Sequence, residues 1–336
     1  RTGPRGLTRT VTCSCIRPDS LLPAGQVQVM VTTHSPQLVS SVSVENVVVI
    51  ARDAEADNED RAPIWSTKAT ALKGLGLTEP SVRKLDRYLS ATRSALLFAR
   101  HIVLVEGIAE SILLPVLAAQ KLEQSWRGNK DAEAGIAEGK RHLAATTYVA
   151  IDGVDFQPYL DVLLGGDARR VDSIVVITDG DPTKQGPLQG EARKLRLEER
   201  FRRHVDLGVL SVHRGETTLE ADLFGAPGNE SLLKAAFLEL HPRSEEKWDS
   251  FIEGLGADSA ERASAFAKAI RQVKGGIDIG KGDFAQLLAE ATVLPDSKPI
   301  SLPDYLEEAM CAILNGFLPV SEQLFDGEAS EDTNGS

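Results

Sequence analysis

Apolar and polar positions follow different patterns in successive stretches of the chain. Near the N-terminus, two β-branched apolar runs at 27–32 and 44–51 each predict a strand. The charged residues 52–63 that follow predict a loop. A helical spacing of apolar residues then predicts one helix over 81–100.

From residue 101 the pattern changes to short apolar runs separated by amphipathic segments. The runs predict strands at 102–105, 148–151, 174–178 and 209–212, and the segments between them predict helices at 110–122, 156–164 and 190–204. Strands joined by helices of this length imply right-handed crossovers and a parallel sheet. The polar residues 124–146 are interpreted as an insertion. Beyond residue 225 the pattern predicts helices at 231–240, 245–254, 260–273, 283–291 and 303–314.

The predicted fold class is therefore α/β, a parallel sheet flanked by helices with a helical C-terminal elaboration. The expected divisions are a poorly ordered N-terminus (1–26), an N-terminal segment with its linker (27–80), the α/β domain (81–225), the helical part (226–320) and an acidic disordered tail (321–336).

Composition excludes several classes of protein. No apolar run reaches the length of about 20 residues that a membrane helix needs, and the N-terminus lacks the apolar region of a secretion signal. The three cysteines match neither a zinc-binding spacing nor a disulfide framework, so a reducing cytoplasm is the expected location.

The formal net charge of −12 excludes a protein that coats DNA by electrostatics alone. One local stretch, 184–204, is nevertheless rich in basic residues and is the best candidate for a surface that faces phosphate. Its basic residues are Lys184, Arg193, Lys194, Arg196, Arg200, Arg202 and Arg203. The alternative is a solvated helix face with mixed ion pairs.

Two acidic clusters follow predicted strands. Glu106 stands at the end of one strand with Glu110 in the next helical turn, and Asp179 and Asp181 directly follow another strand. Because the carboxyl ends of parallel strands share one edge, these side chains are expected to meet there. Four carboxylates at one edge repel each other unless a cation neutralises them, and oxygen ligands suit Mg²⁺ or Mn²⁺. The alternative is that each acid is an ordinary cap or turn residue.

These motifs resemble a known family. VEGIAE (105–110) and ITDGDP (177–182) are similar to a toprim domain, the fold shared by topoisomerases, primases and some nucleases. Adding HRGETTLEADLF (213–224) and GKGDFAQLLAE (280–290), the chain resembles the C-terminal part of the overcoming-lysogenization-defect (OLD) family of ATP-dependent nucleases. The resemblance covers about 27–314.

The resemblance implies a DNA endonuclease or nickase that uses two Mg²⁺ or Mn²⁺ ions. It implies that Glu106 is a metal ligand or general base, and that Glu110, Asp179 and Asp181 bind metal. In the ETTLE segment it points to Glu216 or Glu220 as a further metal ligand, whereas a helix-capping pair is the alternative there.

The resemblance also implies that Lys281 stabilises the transition-state phosphate, a role that suits a compact ammonium. The implied partners are DNA, a second copy of the chain in a homodimer, and a separate ATPase polypeptide.

The segment MVTTHSPQLVSS (30–41) resembles the end of an ABC-type ATPase domain, with His34 at the position of its switch histidine. The sequence departs from the family here because no phosphate-binding loop precedes this segment. The resemblance therefore makes 27–80 a short remnant of the ATPase domain with its linker. We expect no ATP hydrolysis by this chain, with His34 a vestige or a packing residue. GGIDIGKG (275–282) imitates a phosphate-binding loop, but Gly282 replaces the Ser or Thr that binds Mg²⁺.

Two other functions remain open. The DGDPT sequence (179–183) also fits a haloacid-dehalogenase-like phosphatase in which Asp179 is the nucleophile. That scheme gives the upstream VEG motif no role. The third possibility is a non-catalytic interaction module, which four metal-binding acids would argue against.

Overall fold

The computed structural model describes residues 11–15, 29–55, 64–89, 93–166, 170–181, 189–272, 276–293 and 298–319 of the chain. They divide into two compact units, of which the first takes its residues from 1–102 and 153–174 and the second from 103–152 and 175–336. The sequence-based α/β domain, 81–225, is thus shared between both units, and the expected divisions stay predictions.

The first unit contains an antiparallel sheet with the strand order β2-β1-β3-β4. Its strands are β1 (Val11–Cys15), β2 (Val29–Thr33), β3 (Val47–Glu55) and β4 (Ile64–Ala71). Its helices are α1 (Pro36–Ser40), α2 (Glu79–Tyr88) and α5 (Gln157–Leu164), and 3-10 turns lie at Val44–Asn46, Leu72–Leu75 and Arg93–Leu97.

Three features of this unit differ from the sequence-based expectations. Five residues of the N-terminus expected to be poorly ordered form β1, and the rest of 1–26 lies outside the described residues. Strand β4 was not predicted, because four polar residues interrupt its apolar residues. Half-buried and exposed positions alternate from Ser66 to Ala71. The helix predicted over 81–100 ends at Tyr88, since Leu89 leaves helical geometry with ψ 65°, and Leu96 is buried by a 3-10 turn instead.

A four-stranded parallel sheet with the order β6-β5-β7-β8 confirms the predicted fold class. Its strands are β5 (His101–Val105), β6 (Thr146–Ala150), β7 (Ser173–Thr178) and β8 (Leu210–Arg214). Most of β5 and β7 belongs to the second unit. Both strands are buried along nearly their whole length, as is expected of strands covered on both faces.

The helices of the second unit complete its core. They are α3 (Ile108–Ser125), α4 (Ala132–Ala145), α6 (Gln189–Arg200), α7 (Arg202–Asp206), α8 (Leu219–Gly225), α9 (Glu230–Leu240), α10 (Glu245–Ile252), α11 (Ser259–Arg271), α12 (Lys281–Val293) and α13 (Asp304–Ile313). The core joins β5 and β7 to α3 and to the C-terminal helices, with Trp248, Phe224 and Phe284 fully buried. None of the described helices is long and apolar enough to cross a membrane.

The polar stretch expected to be an insertion forms helix α4, which packs against α3. Small residues permit this approach: a Cβ on Gly139 would lie 2.5 Å from a methyl carbon of Leu122. His142 is buried on the same face and bonds through Nε2 to the carbonyl of Ile313 at 2.8 Å. Helix α4 is therefore part of the packed unit.

Candidate functional site

The two acidic clusters stand at neighbouring strand ends. Glu106 follows the last residue of β5, and Gly107, in extended conformation, is the N-cap of α3. Asp179, Gly180 and Asp181 follow β7, which lies next to β5 in the sheet. The carboxyl edge of this sheet therefore carries both clusters, as the sequence predicted.

Glu106 is held by neighbours on β7 and α6. Its Oε1 accepts hydrogen bonds from the hydroxyl of Thr178, from the backbone N–H of Asp179 at 2.9 Å and from Nη1 of Arg193 at 2.7 Å. Burial raises the pKa of Glu106, although these donors act in the opposite direction. The carboxyl group is thus fixed in place close to the DGD turn.

Arg193 connects Glu106 to Asp181. Its Nη2 lies 2.8 Å from Oδ2 of Asp181, while Nη1 contacts both Glu106 and the Thr178 hydroxyl. The Arg193 side chain is 6% exposed, which contradicts its expected place on a surface that faces phosphate. The physical reason is the helical spacing of α6, which puts Arg193 on the same buried face as Gly190 and Leu197.

A second group of acids lies around Lys281. Burial first, and then the charges of Glu110 and Glu106, raises the pKa of Asp179 well above its usual value. Burial and the charge of Glu220 likewise raise the pKa of Glu110. Burial lowers the pKa of Lys281, but the nearby carboxylates outweigh this and the net shift is upward. Acids from three elements and one lysine therefore interact at this edge.

The two candidates in the ETTLE segment have very different environments. Glu220, in the first turn of α8, is 2% exposed, and neither of its carboxylate oxygens has a hydrogen-bond partner among the described residues. The nearest cation is Nζ of Lys281, 3.4 Å from Oε2. Glu216 is 64% exposed, and its side chain pairs with Arg214 at 2.9 Å. The structure brings Glu220, and not Glu216, to the cluster.

Capping does not account for Glu220. Thr218 is the N-cap of α8, but its side chain makes no capping hydrogen bond, and Glu220 does not bond back to it. The backbone of the turn is bound instead by Asp222, which accepts hydrogen bonds from the N–H groups of Glu216 and Thr217, each at 3.0 Å. Glu220 is therefore free of a capping role.

Asp222 and Tyr305 were not recognised from the sequence. Burial raises the pKa of Asp222 to about 6, although hydrogen bonds from Thr217, Glu216 and the Tyr305 hydroxyl favour its charged form. Tyr305 is half-buried against the core, and burial followed by the charge of Asp222 raises its pKa. The available signal for Asp222 was an acid that closely follows Thr217 and Thr218, a pair that could cap a helix. Nothing local marks Tyr305, because it arrives from α13.

The DGD turn requires glycine at position 180. A Cβ there would lie 2.2 Å from the carbonyl oxygen of Glu216 and 2.6 Å from that of Gly215. The Gly180 N–H also bonds to the carbonyl of Thr217 at 2.9 Å. The turn after β7 is thus packed directly on the backbone of the ETTLE segment. Asp181, next in the chain, has φ 47°, a left-handed conformation uncommon for a residue with a side chain.

The chemistry of the donor set fits divalent metal ions. Buried carboxylates without hydrogen-bond partners are costly, and a cation relieves this as well as the mutual repulsion of the acids. Among the described residues, however, no three acidic, histidine or cysteine side chains stand close enough to hold one ion as they are placed. Two of the acids contact Arg193 and one contacts Lys281, so the carboxylates would have to move closer to share an ion.

The structure of residues 276–282, the described part of the GGIDIGKG segment, differs from a phosphate-binding loop. Helix α11 precedes this segment, whereas a phosphate-binding loop follows a buried strand, and Ile277 and Ile279 are buried in the core. Lys281 begins α12 and faces Glu220. His34 follows β2 and is exposed, which excludes the packing role considered for it.

The other basic residues of the 184–204 stretch divide by environment. Arg196, Arg202 and Arg203 are exposed on α6 and α7, as is Arg200. Lys194 pairs at 3.8 Å with Glu198 on the same helix. Lys184 lies outside the described residues. The exposed arginines keep this stretch a candidate phosphate-facing surface.

Comparison with known proteins supports the toprim resemblance. Residues 97–181 match the family model of the overcoming lysogenization defect protein-like toprim domain. This segment includes Glu106, Glu110, Asp179 and Asp181, while Glu220 and Lys281 lie outside it. No curated protein matches the chain in sequence.

The solved structures that are similar to this chain include the C-terminal regions of two OLD proteins. The C-terminal region of the Burkholderia pseudomallei OLD protein is 25% identical, with a TM-score of 0.43, and the match covers 66% of this chain and 99% of that one. The C-terminal region of the Xanthomonas campestris pv. campestris OLD protein is 21% identical, with a TM-score of 0.41, and the match covers 66% of this chain and 96% of that one. On the family model, residues 97–181 are an OLD-like toprim domain, of the type found in metal-dependent enzymes that cleave nucleic acids.

Proposed function

We propose that this chain is a metal-dependent endonuclease or nickase that hydrolyses DNA phosphodiester bonds. The observation that carries the proposal is the group formed by Glu110, Asp179, Glu220 and Lys281. This group contains buried carboxylates and the half-exposed ammonium of Lys281. Neither carboxylate oxygen of Glu220 has a hydrogen-bond partner among the described residues. The ion pair between Lys281 and Oε2 of Glu220 does not by itself explain this group, because burying a carboxylate without hydrogen bonds costs free energy.

Each side chain has a distinct role in the proposed reaction. Two divalent ions, Mg²⁺ or Mn²⁺, would supply an activated water and stabilise the leaving oxygen. Glu110, Asp179, Asp181 and Glu220 would hold them, and Glu106 would serve as a ligand or as the base that orients water. Lys281 is 50% exposed, so its ammonium can contact a phosphate that approaches the edge of the sheet.

The first experiment compares Glu220→Gln with Glu216→Gln in the nicking of supercoiled plasmid under Mg²⁺ or Mn²⁺. We expect wild-type protein to nick the plasmid and chelation to stop it. Glu220→Gln should lower the rate by at least about tenfold, because it removes a charged ligand without changing side-chain size. Glu216→Gln is the matched control and should keep the wild-type rate, since Glu216 is exposed beside Arg214. Equal losses in both variants, or no nicking by wild type, would refute the proposal.

We further propose that the exposed arginines of α6 and α7 contact DNA phosphates. An overall acidic protein needs such a local basic surface to approach a polyanion. Arg196→Gln should reduce the slope of log binding constant against log salt by about one, which corresponds to the loss of one phosphate contact. The measurement is DNA affinity at several salt concentrations under Ca²⁺. An unchanged slope would favour the solvated-face interpretation.

The homodimer and the separate ATPase polypeptide also remain proposals. Sedimentation of the purified chain, alone and with candidate ATPases, tests both. The proposed function does not include ATP hydrolysis by this chain.

A further inference from the structure

We propose that the two ion positions of this site are unequal and that Arg193 causes the difference. On this view, which rests on the proposed function, an ion binds first to the group around Glu220. An ion bound by Glu106 and Asp181 must displace the Arg193 guanidinium and therefore binds more weakly. Arg193 thus acts as a positioning residue and as an internal competitor of the second ion.

The contacts of Arg193 carry this inference. Its guanidinium reaches Glu106 at 2.7 Å and Asp181 at 2.8 Å, so both carboxylates already have a cationic partner. It also donates to the Thr178 hydroxyl and approaches the Asp179 carbonyl at 3.5 Å. The side chain is 6% exposed, and moving a buried, multiply bonded guanidinium is costly.

The group around Glu220 has no comparable obstacle. Neither carboxylate oxygen of Glu220 would lose a hydrogen bond to a described residue when it binds an ion. Lys281 lies at 3.4 Å but is 50% exposed on a flexible stem, so its ammonium can swing towards solvent. Entry of an ion here relieves the repulsion among Asp179, Glu110 and Glu220, whereas entry at Glu106 exchanges one cation for another.

Helix α6 holds Arg193 in place because the start of the helix is bound to the DGD turn. The Gly190 N–H bonds to the Gly180 carbonyl at 3.1 Å, which ties the start of α6 to the DGD turn. Three residues later, Arg193 points back across that turn to both acids. Because the turn, the helix and the guanidinium form one connected unit, the second ion position and the shape of the DGD turn are coupled.

The test is calorimetric titration of the full chain with Mn²⁺ alone, without DNA. Wild-type protein should show a tight and a weak class of sites separated by about tenfold or more in Kd, the scale of one charge-assisted hydrogen bond. Arg193→Gln should tighten the weak class by about tenfold and leave the tight class unchanged. Arg141→Gln removes the same charge from an exposed position on α4, away from the proposed DNA contacts, and should alter neither class.

Folding of each variant is checked by circular dichroism. Should Arg193→Gln fail to fold, Asp181→Asn and Glu220→Gln assign the classes: the proposal requires loss of the weak class in the first and of the tight class in the second. Two equal sites in wild type, an unchanged weak class in Arg193→Gln, or the reverse assignment would overturn the role of Arg193 alone. No Mn²⁺ binding by any protein would overturn this inference and the proposed function together.

Discussion

Replacing Glu106 with Gln is expected to reduce Mn²⁺-dependent nicking of plasmid by about 10²–10⁴-fold, the usual cost of losing a general base. Glutamine keeps an oxygen that can accept from Thr178, the Asp179 N–H and Arg193, so the DGD turn should keep its geometry. The negative charge is what the variant removes. The rate of conversion of supercoiled to open-circular plasmid measures the effect.

The same variant separates the nuclease from the phosphatase alternative. In a phosphatase, Asp179 attacks phosphorus, an aspartyl-phosphate accumulates, and Glu106 has no part in the reaction. Hydrolysis of a small aryl phosphate monoester is therefore measured beside nicking. Monoester turnover that survives Glu106→Gln, with no nicking by either protein, would establish the phosphatase.

Replacing Gly180 with Ala is expected to destabilise the second unit by about 3 kcal/mol, the upper part of the range for overpacking, and to abolish nicking. The added carbon meets backbone atoms, 2.2 Å from the carbonyl oxygen of Glu216, and a backbone cannot swing aside as the end of a side chain can. The DGD turn must then move away from the ETTLE segment. Urea unfolding measures the stability, and plasmid nicking measures the site.

Gly153→Ala is the matched control for this prediction. Gly153 lies three residues beyond β6 of the same sheet, has nothing within 4 Å of an added Cβ, and does not have positive φ. The free energy of unfolding of the Gly153→Ala protein should stay within about 0.5 kcal/mol of the wild-type value. If the two variants have the same free energy of unfolding, the inference that the DGD turn is tightly packed is wrong.

The parts of this fold that the sequence predicted are those with a local signal. Strands β5 and β7 are short apolar runs, and their carboxyl ends must share an edge once the crossovers are right-handed. The amino-acid pattern alone therefore suffices to bring Glu106 and Asp179 together. Lys281 could be assigned only through the resemblance, because no local pattern joins residue 281 to residue 106.

The features that were not predicted depend on which face of a helix points towards the core and on where each helix begins. Arg193 was grouped with six other basic residues, since arginine is rarely buried, although Gly190 and Leu197 mark the inward face of its helix. The choice between Glu216 and Glu220 depends on α8 starting at Leu219, which carries one acid inward and leaves the other in the preceding turn. The helix over 81–100 failed because apolar spacing continued through a segment that forms a 3-10 turn.

Helix α12 has a consequence for how this protein could be divided or recombined. It packs along α3, the helix that follows Glu106, and it brings Lys281 close to Asp179 and Glu110, which lie more than 100 residues earlier in the chain. Arg193 and Glu220 also come from beyond residue 181. The segment that matches the family model is therefore not expected to work as an independent unit. If residues 97–181 were excised or fused to another protein, they would carry four acids without Arg193 and Lys281, the cations that neutralise them.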